Sequence, residues 1–363
     1  MTTRERMMAC YRREKVDHPA CAIYTRYLPR GEMERAVRDE GMGVIDYAPP
    51  VSMMAPPWHM LDGFLSEVKG ANIRVEYRWE GHQRIERRLF ETPKGTLYSD
   101  IQQDLGGVGS EHILKHYLQG PEDYEAMGYI AQNIRFRDNF PLVRARIQNM
   151  GQDGVVLGRL DRSPFQKLLI ELSDPEQLFL DLYDDPEPIE ALLGVMETRL
   201  LEAASMAMEG PMEVLWLPDN VTAEMTSPAL FRKYCLPYYQ KLTRMAHQAG
   251  KLILAHFDGK LTPLKDDIAR AGFDGIESVS LPEMNGDMSL EEAWTAFPGA
   301  AILPNFPANL SFERDERIAG WARALAEEAQ GAPLMIQISE DLPPEQTGRA
   351  ALALARALNG KEA

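Results

Sequence analysis

Residues 251–259 read KLILAHFDG, a short apolar run that ends in polar residues and a glycine. An apolar run of this length, closed by Gly259, predicts a buried strand. Its polar residues His256 and Asp258 then project from the carboxyl end of a sheet. In parallel α/β folds the active site lies at that end, because the connecting loops meet over the tips of the strands. This stretch therefore predicts both the fold class and the location of the site.

A histidine and an aspartate two residues apart lie on the same face of a strand. His256 and Asp258 can therefore reach one metal ion or one substrate. The alternative is a buried histidine that a neighbour satisfies, followed by an aspartate that caps the next helix. The pair alone leaves both interpretations open.

The rest of the chain alternates between strands and helices from about residue 120 to its end. Strands are predicted at residues 154–160, 213–220, 251–258, 274–280, 300–306 and 333–340. The short loops between them favour a parallel sheet. With an N-terminal strand at Ala20–Tyr24, and one more strand that the pattern does not locate, the sequence predicts an α/β fold, a closed (β/α)8 TIM barrel. A doubly wound open sheet is the second choice.

Residues 72–101 interrupt this alternation. They alternate polar and apolar side chains and are rich in Val, Ile, Tyr and Arg, which predicts a short antiparallel β meander. The glycine-rich segment 104–110 lacks the spacing of a phosphate-binding motif, so we expect a loop that lies over the pocket. No linker divides the chain. We therefore expect a single domain, with residues 1–120 as an N-terminal elaboration and 121–363 as the main βα repeats.

Composition excludes several classes of function. The net charge of −16 argues against nucleic acid or an anionic membrane as the main partner. No run approaches the roughly 18 consecutive apolar residues of a membrane-spanning helix, and the start of the chain lacks the apolar segment of a secretory signal. The cysteines Cys10, Cys21 and Cys235 have no CxxC spacing, which suits a reducing cytoplasm and argues against a thiolate metal cluster. We expect a cytoplasmic protein.

Polar residues collect at the carboxyl ends of the predicted strands. They are Arg159, Asp161, Asp219, Asn220, His256, Asp258, Glu277, Asn305, Glu340 and Asp341. A barrel brings such residues together at one mouth. Asp161 and Glu340 have the alternative of capping the helices that follow them. A whole ring of such groups is harder to explain by capping, because buried carboxylates without partners are costly.

His256, Glu277 and Glu340, with Asp258 as a fourth, supply the nitrogen and oxygen ligands that zinc accepts. Oxygen-rich sets also suit manganese or magnesium, so ligand type alone does not identify the metal. The same residues can instead transfer protons and hydrogen-bond a polar substrate without a metal. The residues leave both uses open.

Several segments together resemble a known superfamily. They are TTRERMMACYRREKVDHPA (2–20), ETPKGTL (91–97), GRLDRSPFQ (158–166), LPDNVTAEMTSPALFRKYCLPYYQKL (217–242), GKLILAHFDGKLTPL (250–264) and FDGIESVSLPEMNGDMSLEEAW (273–294). In this order they resemble the uroporphyrinogen decarboxylase-like superfamily, and particularly its methyltransferase branch that works with corrinoid proteins. The resemblance implies a (β/α)8 barrel with its site at the carboxyl-end mouth.

Two departures from the superfamily bear on the reaction. The segment TRYLPRGEMER (25–35) lacks the arginine-rich flank that holds a porphyrin, and SEDLPPE (339–345) replaces a late His-Gly motif, which argues against porphyrinogen decarboxylation. Zinc methyltransferases of the superfamily use a His-x-Cys pair and a late Cys. The matching positions here are His256, Asp258 and Glu340, so carboxylates replace thiolates. An ether, hydroxyl or amine substrate is therefore expected rather than a thiol.

The resemblance and the residues together predict a metal-dependent methyltransferase. It would move a methyl group from a small methoxy or methylamine substrate to a corrinoid protein, with tetrahydrofolate as the alternative acceptor. A zinc ion on His256 and Glu340, helped by Glu277 or Asp258, would polarise the atom that carries the methyl group. The remaining predicted roles are substrate positioning by Asp219 and Asn220 and substrate binding by Arg26, Arg159 and Asn305.

Two other functions stay open at this point. The first is a metal-free lyase of the decarboxylase type, in which Asp258 or Asp219 binds a substrate nitrogen and His256 relays protons. The second is a non-catalytic ligand-binding barrel, which the crowded ring of titratable groups disfavours. A homodimer is the default expectation for the oligomeric state.

Overall fold

The computed structural model describes residues 1–55, 66–105 and 110–360. Contacts within the chain group it into two compact units. The first unit consists of Met1–Ala48, Pro141–Arg159 and Pro211–Ala363, and the second of Pro49–Phe140 and Leu160–Gly210.

The first unit contains a barrel of parallel strands. In chain order these are β1 (Ala20–Tyr24), β2 (Gly43–Ala48), β3 (Gly154–Arg159), β4 (Val214–Leu217), β5 (Leu252–His256), β6 (Gly275–Val279), β7 (Ala301–Pro304) and β8 (Met335–Ile338). Each strand pairs with the next in parallel, and β8 pairs with β1. A bridge between Asn305 and Gln337 joins β7 to β8. The predicted (β/α)8 barrel is confirmed, and β2 is the strand that the sequence pattern did not locate.

Helices cover the outside of this barrel, so its strands are buried on both faces and consist of near-continuous apolar runs. The α-helices of this unit begin with Thr3–Arg12 and Glu32–Asp39, and the helix Phe140–Met150 starts at the boundary between the units. Further along the chain are Pro228–Leu230 with its π-helical continuation Phe231–Cys235, Leu236–Gln248, Lys265–Ala269, Leu290–Ala296, Asp315–Glu328 and Pro344–Leu358. Short 3-10 turns lie at Thr262–Leu264, Pro282–Met284 and Ala308–Phe312. None of the helices in the described ranges is long and apolar enough to cross a membrane.

The second unit carries the antiparallel insertion. Its sheet is a meander of the strands Asn72–Glu80, Gln83–Thr92, Gly95–Leu105 and Ser110–Lys115. The predicted meander is confirmed and continues beyond residue 101. Of the glycine-rich segment predicted as a loop over the pocket, residues 106–109 lie outside the described residues.

A smaller antiparallel pair joins Glu67–Val68 to Ile134–Arg135. The helices of this unit are the 3-10 turn Pro121–Asp123, Tyr124–Asn133, Pro164–Lys167 with its π-helical continuation Leu168–Leu172, Pro175–Asp184 and Glu187–Met208.

Candidate active site

The centre of the candidate site is a pair of residues on neighbouring barrel strands. His256 is the last residue of β5, and the strand register sets it directly beside Glu277 of β6. Partners in a parallel register point to the same face of the sheet. Both side chains are buried, and His256 Nδ1 lies 2.5 Å from Glu277 Oε2.

Two aromatic side chains complete the hydrogen bonds of the Glu277 carboxylate. The Tyr24 hydroxyl donates to Oε1 at 2.6 Å, and Trp216 Nε1 donates to Oε2 at 3.0 Å. With His256, three donors therefore surround one fully buried carboxylate. This is the condition under which a buried carboxylate is tolerated.

The histidine is held in its charged form. Burial disfavours the imidazolium, but the charges and hydrogen bonds of Glu277 and Asp258 outweigh burial and raise the pKa of His256 to about 10. Nδ1–H then donates to Glu277, while Nε2 lies 3.5 Å from Asp258 Oδ2. The imidazolium in turn holds the pKa of Asp258 below its usual range. The side chain of Asp258 remains one quarter exposed, so the hydrogen-bonded series Glu277–His256–Asp258 reaches solvent at Asp258.

The segment after β5 is fixed by neighbouring loops. Asn220 Nδ2 donates to Asp258 Oδ2 at 2.6 Å, and Ser280 Oγ donates to the Asp258 carbonyl at 2.7 Å. Asn220 adopts a left-handed conformation with φ of 48°, which places strain beside the site. Gly259 is needed for close approach, because a Cβ there would lie 2.2 Å from Thr222 Cβ. Asp258 is therefore a positioned carboxylate, and not the helix cap that the sequence left open.

A bulge in β6 aims the next residues across the barrel mouth. The register with β7 shifts between Glu277 and Val279, and Ser278 has a φ of 63°. Its hydroxyl lies 2.9 Å from Ser339 Oγ, and Ser339 also donates to Asn305 Oδ1 from its backbone N–H and its hydroxyl. Bulges of this kind commonly re-aim side chains next to active sites. Asn305, a predicted substrate-binding residue, thus lies in a serine-lined part of the mouth.

Glu340 follows β8 on the same side. Burial and the nearby charge of Asp258 raise the pKa of Glu340, which His256 and Asn305 partly counteract. The last helix has Pro343 at its N-cap position, so capping by Glu340, the alternative that the sequence left open, is wrong. Glu340 therefore belongs electrostatically to the group around Asp258 and His256.

Two arginines lie on the barrel unit near these groups. Arg159 ends β3, is 98% buried, and lies with its Cζ 5.8 Å from the Trp216 ring and 6.0 Å from the Tyr47 ring. Arg26 is more open, and its guanidinium lies 3.8 Å from Asp341 Oδ1. A guanidinium stacked on aromatic rings is pre-organised to bind a planar anion.

Asp219 differs from the other predicted catalytic residues. Its side chain is fully buried and accepts a hydrogen bond from the Tyr239 hydroxyl at 2.7 Å. The backbone N–H of its neighbour Asn220 donates to the His256 carbonyl at 2.8 Å. Asp219 thus anchors the loop that carries Asn220 beside the site.

The metal prediction was tested against the ligand geometry. Among the residues that the structure describes, no three His, Cys, Asp or Glu side chains are grouped so that they could hold a metal ion. Both oxygens of Glu277 already accept hydrogen bonds from Tyr24, Trp216 and His256, and the Nδ1 atom of His256 is engaged by this carboxylate. The predicted set of His256, Glu277 and Glu340 therefore does not fit a zinc centre in this arrangement.

Tyr24 and Trp216 are the site residues that sequence reasoning missed. Tyr24 is the last residue of β1, and Trp216 lies in β4, three residues before the predicted polar residue Asp219. The alternation of side chains along a strand could have indicated both residues, because the neighbours of each point to the opposite face of the sheet. Aromatic residues in apolar runs are ordinary core, however, so only the buried carboxylate beside them reveals their role.

Comparison with known proteins adds the following. The sequence model of the uroporphyrinogen decarboxylase (URO-D) family matches residues 138–347, more than half of the chain. No curated protein sequence matches the chain. A methyltransferase from Methanosarcina mazei has a similar solved structure, with a TM-score of 0.61 and 15% identity over 99% of each chain. At this identity the likeness concerns the fold alone.

Two other solved structures are less similar. Ribulose-1,5-bisphosphate carboxylase/oxygenase from Pyrococcus horikoshii OT3 gives a TM-score of 0.35 at 11% identity, covering 96% of this chain and 61% of the other. The catalytic modules of a pneumococcal exo-β-D-N-acetylglucosaminidase give 0.38 at 9% identity, covering 97% and 86%.

Proposed function

The chain belongs to the uroporphyrinogen decarboxylase family, and from this membership we propose that it is a methyltransferase. It moves a methyl group from a small methoxy or methylamine-type compound to a corrinoid protein. Tetrahydrofolate is the alternative acceptor. The fold that it shares with the methyltransferase from Methanosarcina mazei is compatible with this proposal.

One observation carries the proposal, namely a buried histidine at the barrel mouth that lies between the carboxylates of Glu277 and Asp258. Glu277 binds His256 Nδ1 and leaves Nε2 directed at the open side, next to Asp258. With a pKa of about 10, His256 holds a proton at neutral pH. A positioned acid of this kind commonly accelerates a reaction about 10²- to 10⁴-fold.

Removal of a methyl group from an ether needs such an acid. The carbon–oxygen bond breaks, its electron pair stays on the oxygen, and the oxygen takes the proton from His256 Nε2. Glu277 stabilises the imidazolium before transfer, and Asp258 orients Nε2 toward the substrate. A corrinoid acceptor would, when docked, supply the electron pair for the new bond to the methyl carbon. Proton transfer to the oxygen turns a poor leaving group into a neutral alcohol.

The other side chains at the mouth fit a small polar substrate. Arg159 and Arg26 offer guanidinium groups to a substrate carboxylate, and Asn305 offers an amide. A compound that carries both an anionic group and a methoxy group could use these side chains together with His256. Because the predicted ligands among the described residues do not group as a zinc site, no step of this reaction runs through a metal.

The test is methyl transfer to reduced cobalamin, which serves as a free corrinoid acceptor. A panel of methoxylated aromatic acids and methylated amines is incubated with the enzyme, and the demethylated product is quantified together with the change in the cobalamin spectrum. We expect product with at least one substrate, and its loss in H256Q. The matched control is H247Q, because His247 is an exposed histidine paired with Asp274 on the helix Leu236–Gln248.

A second function is favoured by the same acid and by the family itself. A metal-free carboxy-lyase also needs a proton, which it delivers to the carbon that loses carbon dioxide. His256 and Asp258 supply that proton in the same geometry. Release of carbon dioxide without any methyl acceptor supports the lyase and contradicts methyl transfer. If the panel yields neither a demethylated product nor carbon dioxide, the result supports the non-catalytic barrel.

A further inference from the structure

The outer strand of the antiparallel sheet, Asn72–Glu80, is an open edge. In the described part of the chain it pairs with Gln83–Thr92 alone. Most of its residues are exposed, so its second row of backbone N–H and C=O groups faces solvent. Such an edge is a template for pairing with another strand, and proteins usually blunt it with a proline, a bulge, a short length or charged side chains, of which this strand has only the charges. This strand runs for nine residues without a proline.

The same strand exposes a row of large apolar side chains. Val75 is 42% exposed, Tyr77 is 52% exposed and Trp79 is 69% exposed. As alternate residues of one strand they share one face. A contiguous apolar surface on an open edge marks an interaction site.

The residues between these apolar side chains are charged, and the order of their charges selects the partner. Arg74, Glu76, Arg78 and Glu80 alternate in sign along the other face. When two copies of the strand pair in antiparallel fashion around a two-fold axis through residue 77, Arg74 of each copy faces Glu80 of the other, and Glu76 faces Arg78. Directly opposed charges of opposite sign stabilise a strand pair. Within each chain Arg74 also pairs with Glu91, and Arg78 with Glu80 and Asp100, so this register adds an opposite charge from the facing strand to each of the four residues.

The neighbouring registers lack this match. With the axis at Glu76, Arg74 faces Arg78 and Glu76 faces its own copy. With the axis at Arg78, Glu76 faces Glu80 and Arg78 faces its own copy. With the axis at Val75, only Arg74 and Glu76 are opposed, and Arg78 and Glu80 face no charged residue of the other strand. Charge therefore selects the register centred on residue 77.

We propose that the strand Asn72–Glu80 is a homodimer interface, in which a second copy of this chain pairs with it around an axis at Tyr77. The two four-stranded sheets then form one continuous sheet. On the apolar face Val75 of each copy packs on Trp79 of the other, and the two Tyr77 rings meet at the axis. A strand that is complementary to itself suits the self-complementary contact of a two-fold dimer.

Site-specific cross-linking tests the register. The cysteines Cys10, Cys21 and Cys235 are buried, so an introduced surface thiol reports alone. In Y77C the two introduced thiols lie opposite each other, and we expect an inter-chain disulfide in oxidised glutathione. In V75C they lie four residues apart along the strands, roughly 13 Å, which is beyond the reach of a disulfide. Cross-linking of V75C instead of Y77C, or of neither, overturns the proposal.

Charge exchange tests the interface in solution, by light scattering and sedimentation. We expect wild type to be dimeric and E76R and R78E each to shift toward monomer, because each places like charges opposite each other twice. An equimolar mixture of the two variants restores the dimer, because the mixed pair again opposes unlike charges. E327R, on an exposed helix of the barrel unit, is the matched control and stays dimeric. Monomeric wild type, or a mixture that stays monomeric, contradicts the proposal, and so does capture of another protein in its place.

Discussion

Two buried groups of charged residues differ in how completely their charges are matched. In the second unit, Lys167 is fully buried and donates to Asp161 at 2.7 Å and to Glu171 at 2.6 Å. Arg162 donates to the second oxygen of Glu171, and the Met54 N–H donates to Asp161. Two cations thus balance two carboxylates, and every group has a partner. In the first unit, His256 and Glu277 are equally buried, but their hydrogen bonds lead to the partly exposed Asp258.

This difference separates a structural cluster from a chemical one. Burial disfavours the Lys167 ammonium, yet its two carboxylates outweigh burial and raise its pKa, so its proton stays in place. No charged group of that cluster is directed at solvent or at a substrate. The His256 cluster differs, since the imidazolium proton on Nε2 points toward Asp258, a carboxylate that is partly exposed. We therefore expect substitutions in the first cluster to affect folding, and those in the second to affect turnover.

The largest effect on stability is expected for K167M. The change leaves Asp161 and Glu171 buried with one cation for two carboxylates, and breaking a buried ion pair costs about 3–5 kcal/mol. Urea unfolding of K167M and wild type measures it. The control is K260M, which removes a partly exposed lysine that pairs with the exposed Glu224 and should change stability by at most about 1 kcal/mol. Equal stability of K167M and wild type would show that the cluster is not structural.

The largest effect on turnover is expected for H256Q. Loss of the imidazolium removes the proposed proton donor, so turnover should fall about 10²- to 10⁴-fold. Its stability should also fall, because glutamine can still donate to Glu277 but leaves that buried carboxylate without a cation. Turnover and urea unfolding on the same preparation distinguish the two effects. A variant that retains full turnover would remove His256 from the reaction.

A smaller effect is expected for Y24F. It keeps the ring and removes one donor from Glu277, and a hydrogen bond to a charged group contributes about 1.5–3 kcal/mol. We expect a loss of stability within this range, and a turnover that falls less than in H256Q. Y183F is the control, because Tyr183 is 87% exposed. No change in Y24F would mean that Glu277 does not depend on this hydroxyl.

The smallest effect is expected for E340Q, and its sign depends on pH. Burial and Asp258 raise the pKa of Glu340 in the folded state, so the ionised form opposes folding at neutral pH. Removal of this charge should make E340Q at least as stable as wild type at pH 7. The gain should disappear as the pH falls below about 4.5, where the carboxyl is protonated in both states. A destabilised E340Q at pH 7 would contradict this assignment.

The sequence was sufficient for the barrel and for most strand ends, because buried parallel strands are short apolar runs with polar tips. It failed at β2, where GVIDYA interrupts the run with Asp46, which pairs with Arg146. A charged residue with a distant partner is invisible in a local pattern.

The structure places His256, Asp258 and Glu277 side by side as the sequence predicted, but their contacts could not be predicted. His256 and Asp258 were identified as a pair, yet Glu277 was predicted as a metal ligand. Its role follows from donors on β1 and β4, which lie far away in the chain. Asp161 was also open to capping, but Ser163 occupies that position and Lys167 binds the carboxylate instead. Such roles depend on contacts between residues of different strands, and the spacing of residues along the chain does not predict those contacts.

The most direct test of the account is the titration of His256 by NMR of its labelled imidazole, in wild type and in E277Q. The account predicts an imidazolium at neutral pH that loses its proton near pH 10 in wild type, and at a markedly lower pH in E277Q, because the carboxylate that favours the charge is gone. A neutral His256 at pH 7 in wild type, or the same titration in both proteins, would contradict the central claim that Glu277 keeps a proton on His256.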